Sequence, residues 1–269
     1  MMILVRREEK TKEPVIPQLS RGDYRIAMLI DGDNAQPSLI DKMMVETGKY
    51  GVATIRRIYG DWTTSNMSGW KEVLQTYAIQ PIQQFRYTIG KNATDSAMII
   101  DAMDILYSGI VDGFCLVSSD SDYTRLATRI REKGFFVMGI GKQSTPRAFV
   151  NACDVFVYTE NLMPEKTSQR KQSIEKKTSE PTELPAPTGP DPIPLLRSAF
   201  EIASQEDGQA SLGALGTHLR QLDPGFDPRT YGYKQLSLLI RALPKVFELK
   251  QTRRRDGTNI MYVRLKETP

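Results

Sequence analysis

The chain has 269 residues, which is enough for two domains of ordinary size. Hydrophobic residues make up 40% and charged residues 25%, the balance typical of a soluble globular protein. The composition of two cysteines and one histidine argues against a disulfide framework, a zinc site or a histidine-based catalytic site. No apolar run approaches the roughly 20 residues of a membrane span, and the apolar start is too short for a signal peptide, so we expect a cytoplasmic protein.

Charge is distributed unevenly along the chain. Residues 23–162 contain 14 basic and 16 acidic residues, whereas residues 191–269 contain 12 basic and 9 acidic ones. Residues 1–22 and 163–190 also carry a net positive charge. An acidic block with basic flanks is suited to a polyanionic partner, because the basic parts attract phosphates.

Residues 1–23 show little apolar patterning and are predicted to form a flexible tail. Over residues 24–162, short apolar runs alternate with amphipathic stretches. Strands are predicted at 25–30, 53–59, 81–86, 113–117, 135–140 and 155–158. Helices are predicted at 37–48, 69–78, 94–108, 121–133 and 146–152. This alternation predicts an α/β fold in which helices flank a parallel sheet.

The segment 163–190 is rich in Pro, Ser, Thr, Lys and Glu, and is predicted to be a flexible linker because it has little apolar surface to bury. Apolar periodicity resumes in residues 191–267, which are predicted to form a second, small domain. Its helices are expected near 195–203, 212–222 and 233–243, followed by hairpin strands at 247–251 and 260–265. An Asp-Gly pair between these strands favours a tight turn.

Carboxylates follow the predicted strands of the first domain. The first strand leads into Asp31, the fourth is followed by Asp120 and Asp122, and a helix between them begins near Asp95. In an open parallel sheet, ligands bind beyond the carboxyl ends of the strands, so these segments point to one edge. Because crowded carboxylates repel one another, we expect a divalent ion that prefers oxygen ligands, such as Mg²⁺ or Mn²⁺, among them.

Helix capping is the simpler role for each of these residues. Asp120 could cap the helix predicted at 121–133, and Asp95 could cap the helix predicted at 94–108. For a single aspartate we favour capping, whereas for the whole set we favour a metal site. Asp104 is assigned to the solvated face of its helix.

Four segments taken together resemble a known family. They are LIDGDN (29–34), RRIYGDW (56–62), KNATDSAMIIDAMDIL (91–106) and LVSSDSDY (116–123). In this order they resemble the NYN domain, the LabA-like branch of the PIN-like nucleases, over about residues 24–162. The resemblance implies a PIN-like fold and metal-dependent cleavage of RNA with Mg²⁺ or Mn²⁺ as the cofactor.

The resemblance also implies roles for individual residues. The acidic positions of the family, which would be both catalytic and metal-binding, are matched by Asp31, Asp95, Asp120 and Asp122. Supporting roles are implied for Asn34, Ser119, Asp101 and Lys91. Of these, Ser119 replaces a glycine that is common in the family's loop.

The C-terminal block resembles a second family. The segment FDPRTYGYKQLSLLIRAL (226–243) carries most of the likeness, which extends over about residues 192–266. It resembles the OST-HTH domain, also called LOTUS, and this implies a winged-helix fold that binds RNA. Some eukaryotic members bind DEAD-box helicases instead, so a protein partner at this domain stays open.

Six basic residues are predicted to contact RNA. Arg56 and Arg57 are placed at the end of the second strand, where they could hold a backbone phosphate. In the second domain, arginines at the hairpin turn could touch phosphates or stack on bases. The RNA-binding residues predicted there are Lys234, Arg253, Arg254 and Arg255.

The sequence therefore predicts a ribonuclease that hydrolyses phosphodiester bonds and binds single-stranded or structured RNA. The alternative is an inactive scaffold that binds RNA or protein. A phosphatase of the haloacid dehalogenase type is also suggested by Asp31 and Asp33. Those enzymes carry a hydroxyl residue two positions after the second aspartate, whereas here Ala35 stands at that position, so the pattern breaks and this alternative is not favoured.

Overall fold

The computed structural model describes residues 24–85, 93–163, 190–205, 208–253 and 259–266. The strands of the first domain are β1 (Tyr24–Asp31), β2 (Gly51–Gly60), β3 (Gln80–Gln83), β4 (Gly113–Val117), β5 (Phe136–Gly141) and β6 (Val155–Tyr158). Among the described residues these six strands form one parallel sheet in the order β3-β2-β1-β4-β5-β6. Every residue of β4 is buried, as is typical of a central strand covered on both faces.

Helices cover both faces of this sheet. They are α1 (Ile40–Gly48), α2 (Lys71–Thr76), α3 (Ala93–Ser108), α4 (Thr124–Glu132) and α5 (Arg147–Ala152). One core, which includes Met43, packs α1 and α2 on one face, and a second core, which includes Met98 and Leu126, packs α3, α4 and α5 on the other. The predicted α/β fold with a flanked parallel sheet is thus confirmed.

Three predicted helices are shorter than expected because they begin with a tighter turn. Short 3₁₀ segments at Pro37–Leu39, Ser65–Trp70 and Ser121–Tyr123 precede α1, α2 and α4. Such turns are frequent at helix ends. They are too short for the apolar pattern to distinguish a 3₁₀ turn from the first turn of an α-helix. The third predicted strand, 81–86, is observed as Gln80–Gln83, and residue 86 lies outside the described part.

The second domain combines three helices with a small antiparallel sheet. Its elements are α6 (Ile193–Ala203), β7 (Gln209–Ser211), α7 (Leu212–Leu222), α8 (Leu236–Arg241), β8 (Phe247–Arg253) and β9 (Asn259–Leu265). The strands pair in the order β7-β9-β8, in agreement with the predicted winged helix. The helix predicted at 233–243 starts only at Leu236, because a 3₁₀ turn at Pro228–Tyr231 and the left-handed Gly232, with φ of 86°, come before it.

The two domains contact each other through side chains and backbone. The guanidinium of Arg229 donates to Glu46 on α1 at 2.6 Å, and the backbone N–H of Phe156 on β6 donates to the carbonyl of Pro224 at 2.8 Å. An ion pair between Arg147 and Asp223 spans 3.1 Å. Most of the predicted linker, 164–189, lies outside the described residues.

None of the helices in the described part of the chain combines the length and the apolar character that a bilayer span requires.

Candidate acidic site

The sheet topology brings the predicted aspartates together. Asp31 is the last residue of β1, and β1 pairs with β4, so that Ile30 lies beside Val117. Asp120 and Asp122 follow β4 in the next loop, and Asp95 lies in the first turn of α3. The carboxyl ends of two neighbouring strands and the start of one helix therefore form a single acidic edge.

Asp31 is the buried member of this group, with a residue exposure of 1%. Its Oδ2 accepts hydrogen bonds from Asn34 Nδ2 at 2.6 Å and from Ser118 Oγ at 2.8 Å, and its Oδ1 accepts the backbone N–H of Asp33 at 3.1 Å. Burial raises the pKa of Asp31, the hydrogen bonds oppose this, and the charge of Asp95 adds to it. The carboxylate is thus fixed in orientation but costly to ionise without a cation.

The outer part of the edge is a cluster of three carboxylates. Asp95, Asp120 and Asp122 each place one carboxylate oxygen within 4.8 Å of the others. Burial raises the pKa of Asp95, and the negative charges of Asp120, Asp122 and Asp33 raise it further. We call Asp95, Asp120 and Asp122 the acidic triad.

Asp120 also performs the capping role considered for it. Its Oδ1 accepts the backbone N–H of Asp122 at 2.9 Å and so caps the 3₁₀ turn Ser121–Tyr123. Capping uses one oxygen, and a carboxylate has a second one. The two roles weighed from the sequence are therefore compatible at this residue.

Two residues that the sequence reasoning missed hold the aspartates in place. Ser118, buried at the end of β4, donates to Asp31 and accepts the backbone N–H of Asp120 at 3.1 Å. The hydroxyl of the buried Tyr123 donates to Asp95 Oδ1 at 2.7 Å, which favours the ionised form of that aspartate. Both lie in the segment LVSSDSDY, so their closeness in sequence to Asp120 and Asp122 could have identified them as part of the site.

The supporting residues predicted from the sequence are placed differently from one another. Asn34 contacts Asp31, as described above. Ser119 instead accepts the backbone N–H of Lys142 at 2.9 Å, so it fastens the loop after β5, and Ser118 is the serine joined to the aspartates. Asp101 pairs with Arg57 at 2.5 Å and also accepts the hydroxyl of Tyr59. Lys91 lies outside the described residues.

The placement of the two arginines at the end of β2 is wrong. The strand runs on to Gly60, because the bulky residues after Arg57 are buried in the sheet. The guanidinium of Arg56 donates to the carbonyls of Ala53 at 2.9 Å and Tyr77 at 2.8 Å, while Arg57 pairs with Asp101. Both groups therefore have partners within the protein.

The remaining predicted RNA contacts lie in the second domain. Lys234 is exposed before α8. Arg253 is the last residue of β8, with its side chain outside the described part, and Arg254 and Arg255 lie wholly outside it.

Close backbone approach fixes the loop after Asp31. A Cβ atom on Gly32 would lie 2.8 Å from the carbonyl oxygen of Tyr59, to which the N–H of Gly32 donates at 2.9 Å. Any larger residue would push the loop away from β2 and disturb the position of Asp31.

The chemistry of the acidic edge fits a hard divalent cation. The donor set of the acidic triad consists of carboxylate oxygens, which Mg²⁺ and Mn²⁺ prefer. Beside Asp95, the hydroxyl oxygen of Thr94 is buried and has no hydrogen-bond partner within the described residues. A positive ion would relieve the repulsion among these carboxylates.

Comparison with known proteins agrees with this architecture. A family model of the NYN domain matches residues 25–162, and a model of the OST-HTH/LOTUS domain matches residues 190–257. An uncharacterized protein of Methanocaldococcus jannaschii is 26% identical over 133 residues, covering 46% of this chain and 50% of that protein. This chain thus spans about half the length of that relative.

Two solved structures are also similar. A Vibrio parahaemolyticus protein of unknown function has 20% identity and a TM-score of 0.43, covering 52% of this chain and 95% of its own. An uncharacterized protein of Nitrosomonas europaea has 32% identity and a TM-score of 0.30, covering 36% of this chain and 95% of its own. On the matched segments, the chain belongs to the NYN domain family and carries an OST-HTH/LOTUS domain after its NYN domain.

Proposed function

We propose that this protein is a ribonuclease that uses Mg²⁺ or Mn²⁺ to hydrolyse phosphodiester bonds at the acidic edge. The NYN domain implies a nuclease-type fold, and the OST-HTH domain implies RNA binding. The observation that carries the proposal is the acidic triad, with carboxylate oxygens within 4.8 Å of one another, next to the buried Asp31.

The acidic triad would hold the ion, and Asp31 would add negative charge from the inner side. When bound, such an ion neutralises the charge that builds up on the phosphate oxygens during attack by water. Asp122 is exposed, so the triad is open to solvent on the side from which an RNA phosphate would approach.

The remaining residues of the site restrict motion of the aspartates. Ser118 and Asn34 fix both the position and the orientation of the Asp31 carboxylate, and Tyr123 does the same for Asp95. Rigid positioning of acidic groups lowers the reorganisation needed during the reaction, and the partners of such groups commonly affect activity 10–100-fold.

The OST-HTH domain would supply affinity for RNA, with Lys234, Arg253, Arg254 and Arg255 as its proposed contacts. Changing these residues to glutamine should raise KM more than it lowers kcat, because they hold RNA away from the reacting bond. An equal loss in both would place them in the chemistry instead.

The decisive experiment is cleavage of 5′-labelled single-stranded RNA with Mn²⁺, with Mg²⁺ and with EDTA. The wild type is compared with Asp120→Asn, which keeps an oxygen to cap the 3₁₀ turn but loses the negative charge. Asp104→Asn is the matched control, because Asp104 is an exposed aspartate of α3 outside the acidic triad. We expect metal-dependent cleavage by the wild type and the control, and loss in Asp120→Asn.

Two results would overturn the proposal. If folded wild-type protein binds RNA but cuts it with neither metal, the domain is the inactive scaffold. If Asp120→Asn cuts as well as the wild type, cleavage comes from another site or another protein.

A further inference from the structure

A row of basic side chains starts beside the acidic triad. Arg125 comes three residues after Asp122, and it is followed at intervals of four residues by Arg129 on α4 and by Lys133 at the C-terminal cap of α4; all three basic residues are exposed. Since an α-helix rises 1.5 Å per residue, each interval advances about 6 Å along one side of the helix. This step is comparable to the separation of neighbouring phosphates in an extended strand.

An exposed aromatic ring stands next to this row. Tyr107, on α3, is 64% exposed. Its hydroxyl accepts a hydrogen bond from Arg129 at 3.3 Å, and the ammonium of Lys133 lies 5.7 Å from the ring centre. Two cations thus lie beside an aromatic ring that is exposed to solvent and is not part of the hydrophobic core.

A groove of about 450 Å³ separates the outer sides of α3 and α4. Its lining combines buried or half-buried apolar side chains, Ile99 and Met103 from α3 and Leu126 from α4, with the exposed charged residues Arg125, Arg129 and Glu132. Apolar side chains next to exposed arginines suit a ligand that has both an aromatic ring and a negative charge.

The two helices that line the groove begin at the acidic triad. Asp95 lies in the first turn of α3, and α4 begins two residues after Asp122, so both walls start at the triad. A strand lying in the groove would therefore enter the proposed site of hydrolysis directly.

One acidic side chain, Glu132, lines the groove together with the two arginines. Glu132 lies 3.4 Å from Arg129, but both side chains are largely exposed, and such pairs contribute little. A phosphate could replace Glu132 as the partner of Arg129 at low cost. A helix face that only contacts solvent would account for the charges. It would not account for the exposed ring of Tyr107 or for the apolar lining of the groove.

We propose that the groove between α3 and α4, together with Tyr107 and Lys133 beside it, binds single-stranded RNA next to the bond that is cut, with Arg125, Arg129 and Lys133 on successive phosphates and Tyr107 stacked on a base. A basic track combined with aromatic stacking is how proteins bind single strands without reading their sequence. The position next to the bond that is cut rests on the proposed ribonuclease function, but RNA binding in the groove can be tested without cleavage.

The first test measures binding of a fluorescent 12-nucleotide single-stranded RNA to the full chain in EDTA, over a range of salt concentrations. Arg125→Gln/Lys133→Gln is compared with Lys42→Gln/Lys71→Gln, which removes the same charge from α1 and α2 on the opposite face of the sheet. The groove variant should lower the salt slope of log Kd by about 0.7 per lost contact, whereas the control should leave it nearly unchanged. Equal slopes in both variants would overturn the proposal.

The second test separates stacking from hydrogen bonding at Tyr107. Tyr107→Ala should weaken binding roughly tenfold, and Tyr107→Phe should restore it, because phenylalanine keeps the ring and loses only the hydroxyl. Equal loss in both variants would show that the contact with Arg129 matters and stacking does not, and would overturn the stacking role.

Cleavage gives a separate readout with Mn²⁺. The groove variants should raise KM several-fold and leave kcat at saturating RNA nearly unchanged. If the wild type does not cleave but the binding differences hold, the ribonuclease proposal fails and the groove remains an RNA site. If cleavage occurs but the variants match the control in binding and KM, the groove proposal fails alone.

Discussion

The carboxylates at the domain junction and those at the acidic edge differ in the charge of their hydrogen-bond partners. At the junction, Glu46, Asp227 and Asp223 contact the guanidinium groups of Arg229 or Arg147 at 2.6–3.1 Å. At the acidic edge, Asp31 and Asp95 accept hydrogen bonds from neutral hydroxyl, amide and backbone groups. A paired arginine both neutralises a carboxylate and fixes its orientation. Neutral donors fix the orientation of the carboxylate but do not neutralise it, so a bound cation could do so.

A related contrast in pKa separates the acidic edge from another ion pair, in which Asp112 accepts a hydrogen bond from the guanidinium of Arg25 at 2.9 Å. The pKa of Asp112 is lowered by its hydrogen bond to Arg25, whereas burial and neighbouring carboxylates raise the pKa of Asp95 and Asp31. Residue type alone therefore does not tell which aspartates are balanced by an arginine and which lie among other carboxylates.

The largest expected effect is on catalysis at the acidic triad. Asp95→Asn should lower kcat by more than about 100-fold, because changing even an indirect partner of a metal ligand commonly costs 10–100-fold. Single-turnover RNA cleavage in Mn²⁺ measures this. A loss of less than threefold would remove Asp95 from the site.

Next in size is the effect of the buried hydroxyl of Ser118. Ser118→Ala should lower kcat about 10–100-fold, since Asp31 and the loop that carries Asp120 lose their common hydrogen-bond partner. Ser119→Ala is the matched control, because Ser119 contacts the backbone of Lys142 instead. Equal losses in the two variants would mean that the loop, and not the Asp31 contact, determines the rate.

At the junction we expect an effect on stability without an effect on chemistry. Among the described residues, Arg229→Gln leaves the buried carboxylate of Glu46 with the ion pair from Lys49 alone, at a cost of about 1–2 kcal/mol. Urea unfolding should show the loss, and kcat at saturating RNA should change little. Arg241→Gln, at an exposed arginine of α8, should be neutral in both assays.

At the acidic edge, removing charge should stabilise the fold in the absence of metal. In EDTA at neutral pH, Asp95→Asn should raise the free energy of unfolding by about 1 kcal/mol, because it relieves repulsion within the acidic triad. The gain should shrink when Mn²⁺ is added, since the ion stabilises only the wild type strongly. A variant that is less stable than the wild type in EDTA would contradict this.

The smallest effect concerns the exposed pair of Arg25 and Asp112. Because the folded state lowers the pKa of Asp112 below its ordinary value of 3.8, the pair stabilises the protein above that pH. The contribution is lost as pH falls through the lowered pKa. Melting curves of wild type and Asp112→Asn should therefore differ slightly at pH 7 and converge at the acid end, and a difference that grows on acidification would refute the assignment.

The sequence predicted the sheet well because its central strands β1, β4 and β5 are buried on both faces and form continuous apolar runs. It also predicted that Asp31, Asp95 and Asp120 would meet, since strand order in a parallel sheet brings their ends to one edge. It did not identify β7, whose three residues give no recognisable pattern, although β7 pairs with β9.

Side-chain partners were less predictable than positions. Ser118 and Ser119 are adjacent, and only the direction of each side chain after β4 decides which one reaches Asp31. The contact between Arg229 and Glu46 joins residues 183 positions apart, so no local pattern signals it. The sequence analysis did not single out the row of Arg125, Arg129 and Lys133, because the role proposed for it also depends on contacts with Tyr107 from another helix.

The hydrogen bond from Phe156 to Pro224 has a consequence for solubility. β6 is the last strand of its sheet, and the outer N–H and C=O groups of such a strand can recruit a strand from another molecule. The carbonyl of Pro224 occupies one of these groups, and Gly225 lies so close to the ring of Tyr158 that a Cβ atom there would be 2.7 Å from its hydroxyl oxygen. The OST-HTH domain thus covers part of this edge and makes it less available to a strand from another molecule.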